Sequence, residues 1–170
     1  MTRKLLILSM LLFLTSCNGG FEHGPSGNRD GNWKFVSNGE RIYFTGSSVS
    51  GNPISASGGS GHMNMHMRVH GGGCATCHGA EREGRRLWPQ FWVGAPALTA
   101  EALFADDEHD DSAGSHGDHG SYDSNSLRRA ITQGIDPAGQ QLNDAMPRWN
   151  MSPSDINDLI AYLQQTHTHD

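Results

Sequence analysis

Cys74-Ala75-Thr76-Cys77-His78 constrains this chain more than any other stretch. Two thiols separated by two residues, with an imidazole directly after them, suit three chemistries. A thiol redox pair needs its cysteines at a helix start within a βαβ setting, and no such strand pattern surrounds this motif. A structural zinc site needs a second pair of Cys or His ligands at recognisable spacing. Nearby histidines supply candidates, but no second motif carries that order. Covalent haem attachment needs two thiols that reach the two vinyl groups and a histidine beside them to bind the iron. Haem attachment through Cys74 and Cys77, with His78 as proximal ligand, is the favoured reading; zinc and thiol redox stay as alternatives.

The third cysteine needs its own explanation. Arg3 and Lys4 precede an apolar run, Leu5 to Leu14, that is too short for the ~30 Å hydrocarbon core of a bilayer. A basic start followed by a short apolar run is the pattern of an export signal. Leu14-Thr15-Ser16-Cys17 resembles the lipobox of bacterial lipoproteins, which implies cleavage after residue 16 and lipid on Cys17. The alternative is an ordinary cleaved signal with an incidental cysteine. With Cys17 lipidated, Cys74 and Cys77 are the only other cysteines among 170 residues.

Composition narrows the partners. Twelve basic residues against eighteen acidic give a formal charge of −6, and losing the signal makes the chain more acidic still. That disfavours nucleic acid, which rewards a basic stripe. Low apolar content (35%) and 22 glycines indicate a small core with generous loops.

Residues 17–36, rich in Gly and Asn, read as a tether. One domain follows over 37–166, and 167–170 is a His-containing tail. Within the domain, the Ile42-Tyr43-Phe44 cluster marks a short element, best read as a helix. Residues 46–72 are Ser/Gly-rich and read as loop, with room for a small hairpin. Pro89 and Pro96 break the aromatic stretch after the motif, and the acidic, His-rich run at 106–121 is a surface loop. Leu127, Ala130 and Ile131 share one face of a helix near 124–133, with Gly134 ending it. Ser152, Pro153 and Asp155 open a last helix whose stripe is Ile156, Leu159, Ile160 and Leu163.

A haem held by His78 calls for a second axial ligand downstream, usually a methionine thioether, which raises the reduction potential. Met146 is the candidate, in a polar loop stiffened by Pro147. Core filling is the alternative role for Met146. Met151 is the rival ligand, but it directly precedes the last helix and is better placed to cover that helix's apolar face.

Taken in order, "GERIYFTG", "CATCHG", "APALT", "LRRAITQGIDPAGQQL", "AMPRW" and "MSPSDINDLIAYL" resemble a class I cytochrome c over residues 37 to 165. More narrowly they resemble bacterial monohaem cytochromes with a His-rich loop. The resemblance implies an all-α class I cytochrome c fold with long insertions, at 46–72 and 106–121, and one covalent haem c (heme c) per chain. It implies that the Tyr43 segment packs near the last helix and that the Pro96 carbonyl accepts from the His78 ring N–H. It also implies Arg148 and Trp149 in the haem surroundings, Arg148 near a propionate. A solvated surface role for Arg148 and core packing for Trp149 are the competing roles. The expected function is a membrane-anchored carrier of single electrons on the periplasmic side. Its redox protein partners are a quinol-oxidising complex or other donor and a terminal reductase or oxidase. With both axial positions filled, no open iron site is left for catalysis.

Two decorated loops raise a second possibility for metal. His62, Met63, Met65, His66, Met67 and His70 combine thioether with imidazole, a ligand set suited to copper, especially Cu(I). His109, His116 and His119 lie among aspartates and suit Zn²⁺ or Cu²⁺. The competing reading is that both are solvated loops binding nothing tightly. If they do bind, the alternative function is a cytochrome-like metal-binding accessory or sensor protein.

Overall fold

Ser37 starts the first helix: its hydroxyl accepts from the Glu40 N–H at 3.0 Å, and Gly46, at φ 65°, ends it. This helix, α1, spans Asn38–Thr45. In the computed structural model, residues 26–27, 33–58, 72–87, 92–105 and 120–166 are described. Cys17, the His/Met run with His62, Met63, Met65, His66, Met67 and His70, and the histidines His109, His116 and His119 all lie outside them.

Among the described residues four further helices follow: α2 (Ala75–His78), α3 (Ala100–Phe104), α4 (Ser124–Gln133) and α5 (Pro153–Leu163). Local signals account for the two longest. Asp123 and Ser126 form a reciprocal capping box at the start of α4, and Gly134 closes its end in the left-handed region. Ser152 caps α5 and Pro153 opens it, with Ile156, Leu159, Ile160 and Leu163 buried.

The first and last of these helices form the main packing layer. Gly39 of α1 lies so close to α5 that a Cβ there would meet the Asp158 carbonyl oxygen at 2.0 Å. Only glycine permits that approach. Around this crossing Ile42, Tyr43, Leu159 and Leu163 are buried, joined by Leu127 and Ile131 from α4. Met151 is partly buried against the same cluster.

The domain is mostly helical, as expected, with short strands added to it. Among the described residues there are three two-stranded antiparallel pairs: β1 (Ser26–Gly27) with β2 (Trp33–Lys34), β3 (Ser55–Ser57) with β6 (Arg148–Asn150), and β4 (Arg85–Arg86) with β5 (Gly94–Ala95). The first lies in the stretch read as a tether, and β3 in the first insertion. All are two or three residues long, too short for an alternating pattern to register. All three residues of β3 are exposed, so its partner's backbone, not burial, defines it.

Candidate functional site

One helical turn assembles the motif. The N–H of Cys77 bonds the Cys74 carbonyl at 3.1 Å, and that of His78 bonds it at 2.9 Å. Positions i, i+3 and i+4 of a turn share a face, so both thiols and the imidazole sit on one side of α2. Both cysteines are free, half-buried thiols. Burial pushes the Cys74 thiol up to about 12 and raises Cys77 as well, the nearby Arg85 partly opposing the shift at Cys77.

The motif is held from α1 on both flanks. Tyr43, fully buried, donates its hydroxyl to the Gly79 carbonyl at 2.6 Å. The Gly73 N–H bonds the Phe44 carbonyl at 3.2 Å. Arg85 of β4 donates to the Thr76 carbonyl of α2.

His78 is buried, and its Nδ1 lies 2.8 Å from the Pro96 carbonyl oxygen. A carbonyl only accepts, so Nδ1 carries the proton and the Nε2 lone pair is left for a metal. Burial lowers the imidazole pKa, and the Pro96 carbonyl offsets only part of that. The ring is therefore a neutral donor at pH 7. Backbone conformation brings Pro96 there. The β4–β5 hairpin returns the chain, and the Leu98 N–H bonds the Arg82 carbonyl at 2.7 Å. Gly84, at φ 73°, bonds the His78 carbonyl at 2.8 Å, and a Cβ on it would lie 2.7 Å from the Pro96 carbonyl carbon.

Met146, Arg148 and Trp149 form a second group. The Met146 N–H bonds the Asn143 carbonyl at 3.0 Å, and the Asn143 side chain accepts from the Ala145 N–H at 2.9 Å. Met146 is half-buried and Pro147 buried. The guanidinium of Arg148 donates to the carbonyls of Met146 and Leu142. Trp149 is part of the buried core cluster. The two groups meet at Gly46, where a Cβ would touch the Gly72 carbonyl at 3.0 Å and the Trp149 ring at 3.5 Å. Gly72 stands two residues before Cys74.

Sequence reasoning passed over two residues that shape this site. Gly84 carried no signal beyond being one glycine among many. Arg82 sits between Glu81 and Glu83 and reads as surface charge, yet it is 1% exposed. Its guanidinium reaches the end of α5 and bonds the Tyr162 and Leu163 carbonyls. Among the described residues, no group of three or more His, Cys, Asp or Glu side chains is arranged to hold a metal ion.

The donor set fits a covalently attached haem. Two unlinked thiols share the face of one turn with a neutral imidazole whose outer nitrogen is already bonded. A cytochrome c family model matches residues 67–167. No curated protein and no solved structure matches the chain. The match spans more than half of the sequence and contains Cys74, Cys77, His78, Pro96, Met146, Arg148 and Trp149, and with it the chain belongs to the cytochrome c family.

Proposed function

We propose that this cytochrome is an exported, lipid-anchored monohaem carrier. In this reading Cys74 and Cys77 hold the haem as thioethers, and His78 and Met146 are the axial ligands. The observation that carries it is the bond from His78 Nδ1 to the Pro96 carbonyl at 2.8 Å. It fixes the tautomer and the ring plane and makes the imidazole a stronger donor through Nε2.

When bound, the haem supplies a one-electron Fe(III)/Fe(II) couple. The protein's residues keep the site rigid around it. Tyr43 and Arg85 fix the carbonyls of α2 and its flank, Trp149 packs in the core beside Gly46, and the Met146 turn is closed by Asn143. A rigid ligand set changes little between oxidation states, which suits passage of one electron from a donor to an acceptor. The partners in this reading are a quinol-oxidising complex or similar donor and a terminal reductase or oxidase. Anchoring rests on the lipobox-like Leu14-Thr15-Ser16-Cys17.

The test is an optical and redox titration of the purified holoprotein with metal analysis. One haem that stays with the denatured chain, one reversible one-electron wave and one iron per chain are expected. Haem lost on denaturation, or retained in a Cys74→Ser, Cys77→Ser double variant, overturns the attachment. Ligation by Met146 predicts a weak red-region Fe(III)–thioether band that vanishes in Met146→Ala and persists in Met151→Ala.

A further inference from the structure

We infer that Arg148 is a positioning residue for the sixth iron ligand, holding the Met146 turn from the protein side. The inference rests on the reading of Met146 as that ligand.

Between Gly134 and Arg148 the chain forms no helix and only a single antiparallel bridge, Ile135 with Gln141. The Met146 side chain is therefore only as well placed as the loop backbone beneath it. Three observations show how that backbone is fixed. The Arg148 guanidinium donates to the Met146 carbonyl and, at 3.2 Å, to the Leu142 carbonyl. A planar fork satisfies two carbonyls at once and is pre-organised to do so, which a lysine ammonium is not. The same guanidinium packs on the glycine that ends α4: a Cβ at Gly134 would lie 1.9 Å from its Cζ and Nε. Finally, the Leu142 N–H bonds the Gly134 carbonyl at 2.8 Å, so the loop is folded back over the charged group it surrounds.

The base of the arginine is fixed independently. Its backbone belongs to β6, where Arg148 pairs with Ser57 of β3. Pro147 lies between the clamp and the ligand, and its ring restricts both itself and the residue before it. Strand, proline and guanidinium together leave the Met146 backbone little freedom. Without the guanidinium, two carbonyls lose their partner, and the turn is held only by the Asn143 bonds and the Leu142–Gly134 backbone bond. A loosened turn releases the thioether more often, and an exogenous ligand then competes better for the iron.

The experiment uses ferric holoprotein, with imidazole as the competing ligand and the red-region thioether band as the second readout. Arg148→Lys keeps the charge, Arg148→Met keeps much of the volume, and Gly134→Ala pushes a methyl into the guanidinium at φ 70°. All three are expected to bind imidazole about tenfold tighter or more, the size of one lost charge-assisted hydrogen bond. The band should weaken and melt at lower temperature than global unfolding. Ile156→Val, in the α5 core, controls for general destabilisation and should leave imidazole affinity unchanged. Wild-type affinity and a wild-type band in Arg148→Lys overturn the inference, as does an equal affinity gain in Ile156→Val. Met146→Ala separates the two claims: if it keeps the band, the ligand assignment itself fails, whatever Arg148 does.

Discussion

The buried guanidinium of Arg82 donates to the Tyr162 carbonyl at 3.0 Å, tying the loop after the haem motif to the end of α5. It also reaches the Leu163 carbonyl at 3.2 Å and the Gln165 carbonyl at 2.8 Å, and lies 5.1 Å above the Tyr162 ring. The last carbonyls of a helix have no partner within it, and here a side chain from the motif loop supplies one. Arg82 takes φ 61°, the only non-glycine in the left-handed region among the described residues, so its backbone is bent to make that reach.

Arg82→Met keeps the bulk of the side chain and removes the donors. Loss of charged hydrogen bonds at a buried position is expected to lower stability by about 2–3 kcal/mol. Denaturant unfolding of the holoprotein measures this, and a midpoint equal to wild type would show that water replaces the guanidinium without cost.

Gly39→Ala tests the crossing of α1 and α5. The added methyl meets the Asp158 carbonyl oxygen at 2.0 Å and the Tyr162 Cβ at 2.8 Å, and backbone has little room to retreat. Overpacking of this kind costs about 1–3 kcal/mol. A thermal melt of the variant should fall accordingly; an unshifted melt would mean the helices separate freely.

Asp155 makes stability depend on acid. It is buried at the α5 N-terminus and accepts from Asn38 Nδ2 at 3.0 Å, from the Ser152 hydroxyl at 2.7 Å and from the Ser48 hydroxyl. Burial alone would raise its carboxyl, but the Ser152, Ser48 and Asn38 bonds outweigh that and hold it below the ordinary range. A folded-state value below the unfolded one, ~3.9, means the contribution is fully present above about pH 4. It is lost as pH falls through the folded value. Unfolding midpoints between pH 7 and pH 3 should therefore drop less in Asp155→Asn than in wild type. Equal drops would assign the acid sensitivity elsewhere.

Gly84→Val tests the bond between His78 Nδ1 and the Pro96 carbonyl. A side chain at φ 73° against the Pro96 backbone forces the Pro96 carbonyl off Nδ1. An imidazole without that acceptor is a weaker donor to iron, which disfavours the ferric state more than the ferrous. The reduction potential should rise, read by spectroelectrochemical titration. A potential at or below wild type contradicts the assigned role of Pro96.

Legibility in the sequence tracked how local each signal was. The Ser152-Pro153 start, the apolar stripe of α5 and the Gly134 stop of α4 are written within a few residues of where they act. The spacing of Cys74, Cys77 and His78 is equally local. Pro96 came only through the family resemblance, since nothing in a proline eighteen residues after a histidine announces a hydrogen bond. β3 was invisible because its three exposed residues pair with a strand far along the chain. Arg82 looked like solvated charge because burial by a distant helix end leaves no local mark. Asp155 read as a first-turn acid, which it is, but its ties to Asn38 and Ser48 depend on α1 arriving beside it.

The contact of Gly39 with Asp158 also bears on how the protein folds. Domain closure needs α5 to settle on α1, two helices far apart in sequence. Until α5 docks, α1 lacks its main partner and the Tyr43 clamp on Gly79 has no core to support it. Cys74 and Cys77 then stand in a more open chain. A contact this distant in sequence carries a loop-closure cost that local contacts do not, so completing the core around the motif is a non-local step of folding.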